Sequence, residues 1–85
     1  MKKRNRLEII KDILKIIQDN HNSIKITPLL RKSNISSKRF YEYIKELQNK
    51  GFVMKIERKI KITKKGMSYL EKYSSIVGFI EEFGL

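Results

Sequence analysis

There is no cysteine among the 85 residues, so neither a disulfide framework nor a cysteine zinc site is available. A single histidine, His21, leaves no paired metal-ligand spacing, and its acidic neighbour Asp19 is more naturally a turn residue. No glycine-rich phosphate loop is present. Catalysis has little to work with, and the chain is expected to carry no cofactor, no metal and no small-molecule substrate. No apolar run approaches transmembrane length, so no membrane partner is expected. Lys2, Lys3, Arg4 and Arg6 crowd the start, but Glu8, Lys11, Asp12 and Lys15 break the apolar positions that follow, and no signal-peptide core forms. That basic start is either an arm lying near a nucleic acid or a solubilising terminus. Internal repeats and low-complexity linkers are also lacking.

Acidic residues are few, nine against twenty Lys and Arg, which leaves a net charge of +11. The excess is local. Residues 31–65 hold twelve of the basic residues and three of the acids, whereas residues 66–85 hold one and three. A basic middle followed by an apolar, slightly acidic tail suggests one surface for a polyanion and another for protein. A chain this short buries a small share of its surface, so a second copy is a plausible supplement to its core.

Apolar periodicity sets the elements. Leu7, Ile9, Ile10, Ile13, Leu14, Ile16 and Ile17 recur at three- and four-residue steps and predict a helix from Leu7 to about Gln18. The cluster Asp19-Asn20-His21-Asn22-Ser23 predicts a turn, because Asn and Asp bond to their own backbone and tolerate left-handed conformations. Ile24-Lys25-Ile26 is short and alternating, a brief strand that can pair with a later ribbon. Thr27-Pro28 predicts a capped second helix running from Pro28 to about Ser33.

Asn34 and Ile35 then lead to Ser36, a cap for a third helix that stops at Gly51. At about 100° per residue its inner face takes Phe40, Tyr43, Ile44 and Leu47, while Lys38, Glu42, Lys45 and Asn49 look outward with Tyr41 beside them. Phe52–Glu57 and Ile60–Thr63 alternate as two strands, with Arg58-Lys59 expected at the tip. Thr63 can cap a last helix bearing Leu70, Tyr73, Val77 and Ile80 at steps of three and four, a stripe that either folds back on the first helix or pairs with its counterpart in a second chain, where that spacing suits a coiled-coil seam.

Helix, short helix, turn, helix and ribbon in that order predict a mainly α fold with a small β-hairpin, a winged helix-turn-helix with a long C-terminal helix for coiled-coil dimerisation. We expect residues 1–66 to form the DNA-binding domain and residues 67–85 the dimerisation helix, with Leu70, Tyr73, Val77 and Ile80 as its seam. The third helix would enter the major groove, where Ser37, Lys38, Arg39, Tyr41, Glu42 and Lys45 are the candidate contacts. Arg and Lys donate to guanine, and Glu42 can accept from cytosine. Lateral packing competes for Tyr41, and helical pairing with Lys38 or Lys45 competes for Glu42. Arg58, Lys59 and Lys61 are expected on adjacent phosphates, with Lys64 and Lys65 able to join them. A protein-interaction adaptor is the competing class, though it leaves the basic middle without a purpose.

Several short stretches carry a resemblance: Arg6-Leu7-Glu8-Ile9-Ile10 with Asp12-Ile13-Leu14, Ser33-Asn34-Ile35-Ser36, Tyr43-Ile44 and Leu47 before Lys50-Gly51, Ile62-Thr63 with Lys65-Gly66, and Tyr69-Leu70-Glu71. In order and spacing the chain resembles archaeal winged helix-turn-helix DNA-binding proteins and transcriptional regulators related to the ten-kilodalton chromatin-associated protein of Sulfolobus. The resemblance implies a homodimer through an antiparallel coiled coil, double-stranded DNA as partner, a cytoplasmic and nucleoid-associated location, and a role as regulator or, alternatively, as a non-specific architectural protein. Three features depart from that pattern: the Asn-rich stretch after the first helix, the basic ribbon tip, and a final helix ending early at Phe83-Gly84-Leu85.

Overall fold

Residues 4–85 are described by the computed structural model; Lys2 and Lys3 of the expected basic arm lie outside them. Asn5 opens the first helix, α1 (Arg6–Asp19), through a capping box in which its side chain accepts from the Glu8 amide at 2.8 Å and Glu8 accepts from the Asn5 amide. Ile9, Ile10, Ile13, Leu14 and Ile17 are buried along one face. Leu7, expected on that stripe, is instead 56% exposed. It sits in the first turn of α1, beside Phe52 and Tyr69 at the edge of the core. After α1 the chain turns through His21 and Asn22 at φ 62° and 68°, left-handed conformations that the polar cluster tolerates.

Strand β1 (Ser23–Lys25) pairs antiparallel with the later ribbon, Ile24 opposite Ile60. Helix α2 (Ile26–Ser33) begins two residues before the position expected, and Thr27 and Pro28 lie within its first turn instead of capping it. The reason is tertiary. Pairing of β1 ends at Lys25, and the Ile26 amide donates to the Arg58 carbonyl at 3.3 Å, replacing a side-chain cap. Pro28 still falls where a helix needs no amide hydrogen.

Asn34, left-handed at φ 57°, ends α2, and Ser36 accepts from the Arg39 amide at 3.3 Å to start α3 (Ser37–Asn49). Arg4 holds this turn. Its guanidinium donates to the carbonyls of Ser33 at 2.8 Å and Asn34 at 3.1 Å, and to Asp12 on α1 at 2.7 Å. Arg4 is therefore a brace between α1 and the helix-turn-helix, with its charge committed internally. Phe40, Ile44 and Leu47 bury the inner face of α3, and Gly51 at φ +79° closes it.

The wing is β2 (Val53–Ile56) and β3 (Lys59–Ile62), and the sheet order is β1-β3-β2. Glu57 and Arg58 form the turn, so the tip lies one residue earlier than expected and Lys59 is the first residue of β3. Glu57 takes φ 57°. A two-residue antiparallel turn demands positive φ, and the strand register assigns that strain to Glu57. Helix α4 (Lys64–Glu82) follows, with Thr63 accepting from the Gly66 amide at 3.2 Å. One core unites Ile9, Ile13, Leu14, Ile17, Leu29, Phe40, Leu47, Val53, Ile60 and Ile62 with the start of α4 at Leu70.

Candidate nucleic-acid interface

Burial of Phe40, Ile44 and Leu47 rotates the rest of α3 outward, and Ser37, Lys38, Arg39, Tyr41, Glu42 and Lys45 are all exposed. Tyr41 is half exposed and meets Phe40 edge-on with ring centres 5.3 Å apart, so one side of its ring packs and the other faces water. Glu42 forms no salt bridge among the described residues, with Lys38 and Lys45 included. Arg39 leans back toward the half-buried Tyr43, its guanidinium carbon 6.0 Å from the ring centre; Arg6 approaches the same ring at 5.9 Å. Arg6 also pairs with Glu46, which accepts from Lys50 at 3.0 Å. Tyr43 is thus more than a core residue, a role that helical periodicity alone assigned to it.

In the ribbon, opposed residues share a face. Val53 opposite Ile62 and Ile24 opposite Ile60 point to the core, whereas Met54 opposite Lys61 and Ile56 opposite Lys59 point outward. Lys25 on β1 lies opposite Lys59 and joins the outward row. The alternation of Ile24-Lys25-Ile26 hints at its direction, but only cross-strand pairing brings it beside Lys59. Arg58 is exposed in the turn.

Lys65 is engaged elsewhere. Its ammonium donates to the Lys50 carbonyl at 2.6 Å and lies 5.1 Å from the Phe52 ring centre. A cation there complements the negative end of α3. Lys64 remains exposed.

Of the four seam residues expected on α4, Leu70 is buried in the chain's own core, Tyr73 and Val77 are half-buried, and Ile80 is exposed. Tyr73 stacks on Tyr69 at 6.3 Å between ring centres, and Lys11 on α1 approaches it to 5.7 Å. Beyond Val77 the helix exposes Phe79, Ile80 and Phe83. An open groove of about 340 Å³, lined by Leu7, Phe52, Tyr69, Tyr73 and Ile76 and rimmed by Lys65 and Lys72, runs along the same helix.

The perturbed groups lie on α1 and α4 and not on α3 or the wing. Burial pushes the Asp12 carboxyl up, but hydrogen bonds from Lys11 and Arg4 outweigh it and hold it below the usual carboxylate value. The same bond raises the Lys11 ammonium. Burial raises the Tyr69 phenol, whose hydroxyl donates to the Leu7 carbonyl at 3.1 Å. Among the described residues no cluster of three acidic or histidine side chains could hold a metal ion, and no helix is long and apolar enough to cross a membrane.

The fold has a counterpart of known structure. The crystal structure of Sso10a-2, a DNA-binding protein from Sulfolobus solfataricus, superimposes with a TM-score of 0.74 at 24% identity, covering 94% of this chain and 85% of that one. No curated protein matches the sequence. A family model described as winged helix-turn-helix matches residues 3–80. With its helices, capped turn and two-stranded wing completing a three-stranded sheet, the chain belongs to the winged helix-turn-helix family.

Proposed function

We propose that this chain binds double-stranded DNA as a homodimer and acts as a transcriptional regulator. One observation carries the reading: among the described residues the salt bridges gather on Arg4, Arg6, Lys11, Lys15 and Lys50, and every cation of α3 and the wing is left without an acidic partner, as are Arg31, Lys32, Lys64 and Lys72. Asp12 is taken by Arg4 and Lys11, Asp19 by Lys15, and Glu46 by Arg6 and Lys50. Lys38, Arg39, Lys45, Arg58, Lys59 and Lys61 are exposed and form no salt bridge among the described residues. Uncompensated charge concentrated on a helix and a ribbon suits a phosphate backbone, where counterion release supplies affinity.

In this reading α3 lies in the major groove with Ser37, Lys38, Arg39, Tyr41, Glu42 and Lys45 toward the bases, and Arg58, Lys59 and Lys61 rest on the neighbouring backbone. Glu42 favours a regulator over an architectural protein. A carboxylate is repelled by phosphates and suits such a face only against a donor such as the cytosine amino group. The Sulfolobus protein of like fold is a DNA-binding protein, which is in keeping with this reading.

Residues 1–66 serve as the head and residues 67–85 as the dimerisation helix, with Leu70 completing the head and the seam formed by Tyr73, Val77 and Ile80. Phe79 and Phe83, whose rings are 4.8 Å apart, extend the apolar surface that a second copy would cover. A two-fold dimer reads two half-sites in inverted order. Selection of bound duplexes from a random pool tests the proposal. Enrichment of an inverted repeat supports the regulator, retention without enrichment indicates an architectural protein, and no retention removes DNA as the partner.

A further inference from the structure

The end of α3 and the start of α4 are tied together carbonyl by carbonyl. Past Asn49, the carbonyls of Lys50, Gly51 and Phe52 each accept a hydrogen bond from Thr63 or Lys65. The Lys65 ammonium donates to Lys50 at 2.6 Å, the Thr63 hydroxyl to Gly51 at 2.6 Å, and the Thr63 amide to Phe52 at 3.1 Å. The Lys65 stem crosses Gly51, its Cδ 3.8 Å from where a Cβ on that glycine would stand, and its ammonium is 5.1 Å from the Phe52 ring centre. Gly66 completes the joint, with no room for a side chain against the Phe52 carbonyl.

Carbonyls at a helix end are commonly left to water. Here three in succession are given to one short segment, which fixes the angle between the two elements as well as their distance. The body of α4 packs chiefly on α1 and β3. Residues 50–52 and 63–66 therefore make the hydrogen-bonded connection between α3 and the helix that reaches away from the head.

A stiff connection there constrains a two-headed protein. Each base pair added between two half-sites moves them about 3.4 Å apart and turns one against the other by about 35°. A dimer follows such a change only if its heads swivel on the dimerising helices. Resting on the dimeric DNA-binding reading above, we propose that Lys65 and Thr63 are positioning residues that lock α3 to α4 and so restrict the protein to one half-site spacing. They touch neither base nor phosphate and act through the direction of α3. Half-site sequence is read by α3, and half-site separation is set by the joint.

The test is selection from duplexes that carry the enriched half-site as an inverted repeat with spacers of every length up to one helical turn. Wild-type protein is expected to retain one spacing. Lys65→Met, which keeps the stem and removes the donor, is expected to lose that preference while keeping the half-site sequence and the slope of log affinity against log salt. Lys65→Met/Thr63→Val is expected to lose it further, and Lys65→Arg/Thr63→Ser, which retains both donors, to restore it. Lys65 is exposed, so the single variant folds even where loss of the Thr63 cap is not tolerated. The chain has no cysteine, and Asn49→Cys/Ser75→Cys accepts spin labels at exposed positions of α3 and α4. With labelled protein diluted into unlabelled, the distance distribution is expected to be narrow and to broaden with Lys65→Met. A Lys65→Met protein that keeps one spacing and a narrow distribution overturns the joint while dimeric DNA reading stands. A lowered salt slope with unaltered spacing also overturns it, by putting Lys65 on a phosphate. Wild-type protein that retains no duplex overturns both.

Discussion

Gly66 packs directly onto Ile62: a Cβ built on Gly66 would stand 2.7 Å from Ile62 Cγ1, and closer still to the Phe52 carbonyl oxygen. Real carbon atoms do not approach that closely, and the backbone oxygen has no rotamer to yield. Gly66 therefore sets how near the first turn of α4 can lie to the wing. Gly66→Ala should destabilise the fold by about 1–3 kcal/mol despite the better helix propensity of Ala. Denaturant titration measures this, and a variant of unchanged midpoint would show that α4 can shift away freely.

Lys38 and Arg39 stand in the first turn of α3 with no acidic partner among the described residues. Replacing both with Ala should weaken DNA binding by about 1–3 kcal/mol for each base-edge pairing abolished, with an unchanged melting temperature. A gel shift reads the affinity. Unaltered binding would take these two side chains out of the interface.

Val77 and Ile80 lie on the distal part of α4, where little of the chain's own core covers them. Val77→Glu/Ile80→Glu should sediment as a monomer while the head keeps its circular dichroism. A dimer that survives the two charges would move the contact to another surface, such as the Leu7, Phe52, Tyr69 groove.

Asp12 links pH to stability through Arg4 and Lys11. Its folded pKa lies below the ordinary value, so its contribution is present above pH about 4 and is lost as pH falls through the folded value. Asp12→Asn should flatten the acid limb of the stability curve and cost less than about 1 kcal/mol at neutral pH. At the alkaline end the signs reverse. The Lys11 and Tyr69 pKa values are raised, so their contributions are complete below pH about 10 and disappear above it. Tyr69→Phe should remove part of that alkaline loss in a pH series of thermal melts, and an identical series would detach the phenol from stability.

Periods, caps and turns were legible in the residues themselves. Three- and four-residue apolar steps marked α1, α3 and α4, Ser36 and Thr63 capped the helices they were expected to cap, and Gly51 closed α3. Each of those signals acts over a few positions of chain, so the sequence determines it alone: a hydroxyl reaches an amide three residues on whatever else the protein does. The outward set of α3 follows in the same way, since burying Phe40, Ile44 and Leu47 fixes the direction of Lys38, Glu42 and Lys45.

Tertiary structure decided what depends on groups far apart in the chain. The Arg58 carbonyl, from the turn of the wing, gave the Ile26 amide a partner, and α2 began before Thr27 could cap it. Lys65 was taken from the basic surface by the Lys50 carbonyl, and Arg4 by Asp12 and the end of α2. Leu70 went into the head while Leu7 stayed out, and register alone brought Lys25 beside Lys59 and set Met54 and Ile56 among lysines. A side chain's type fixes what it can bind. Which partner it meets is chosen by the packing that gives the whole chain its lowest free energy, and that packing sorted structural cations from those left facing solvent.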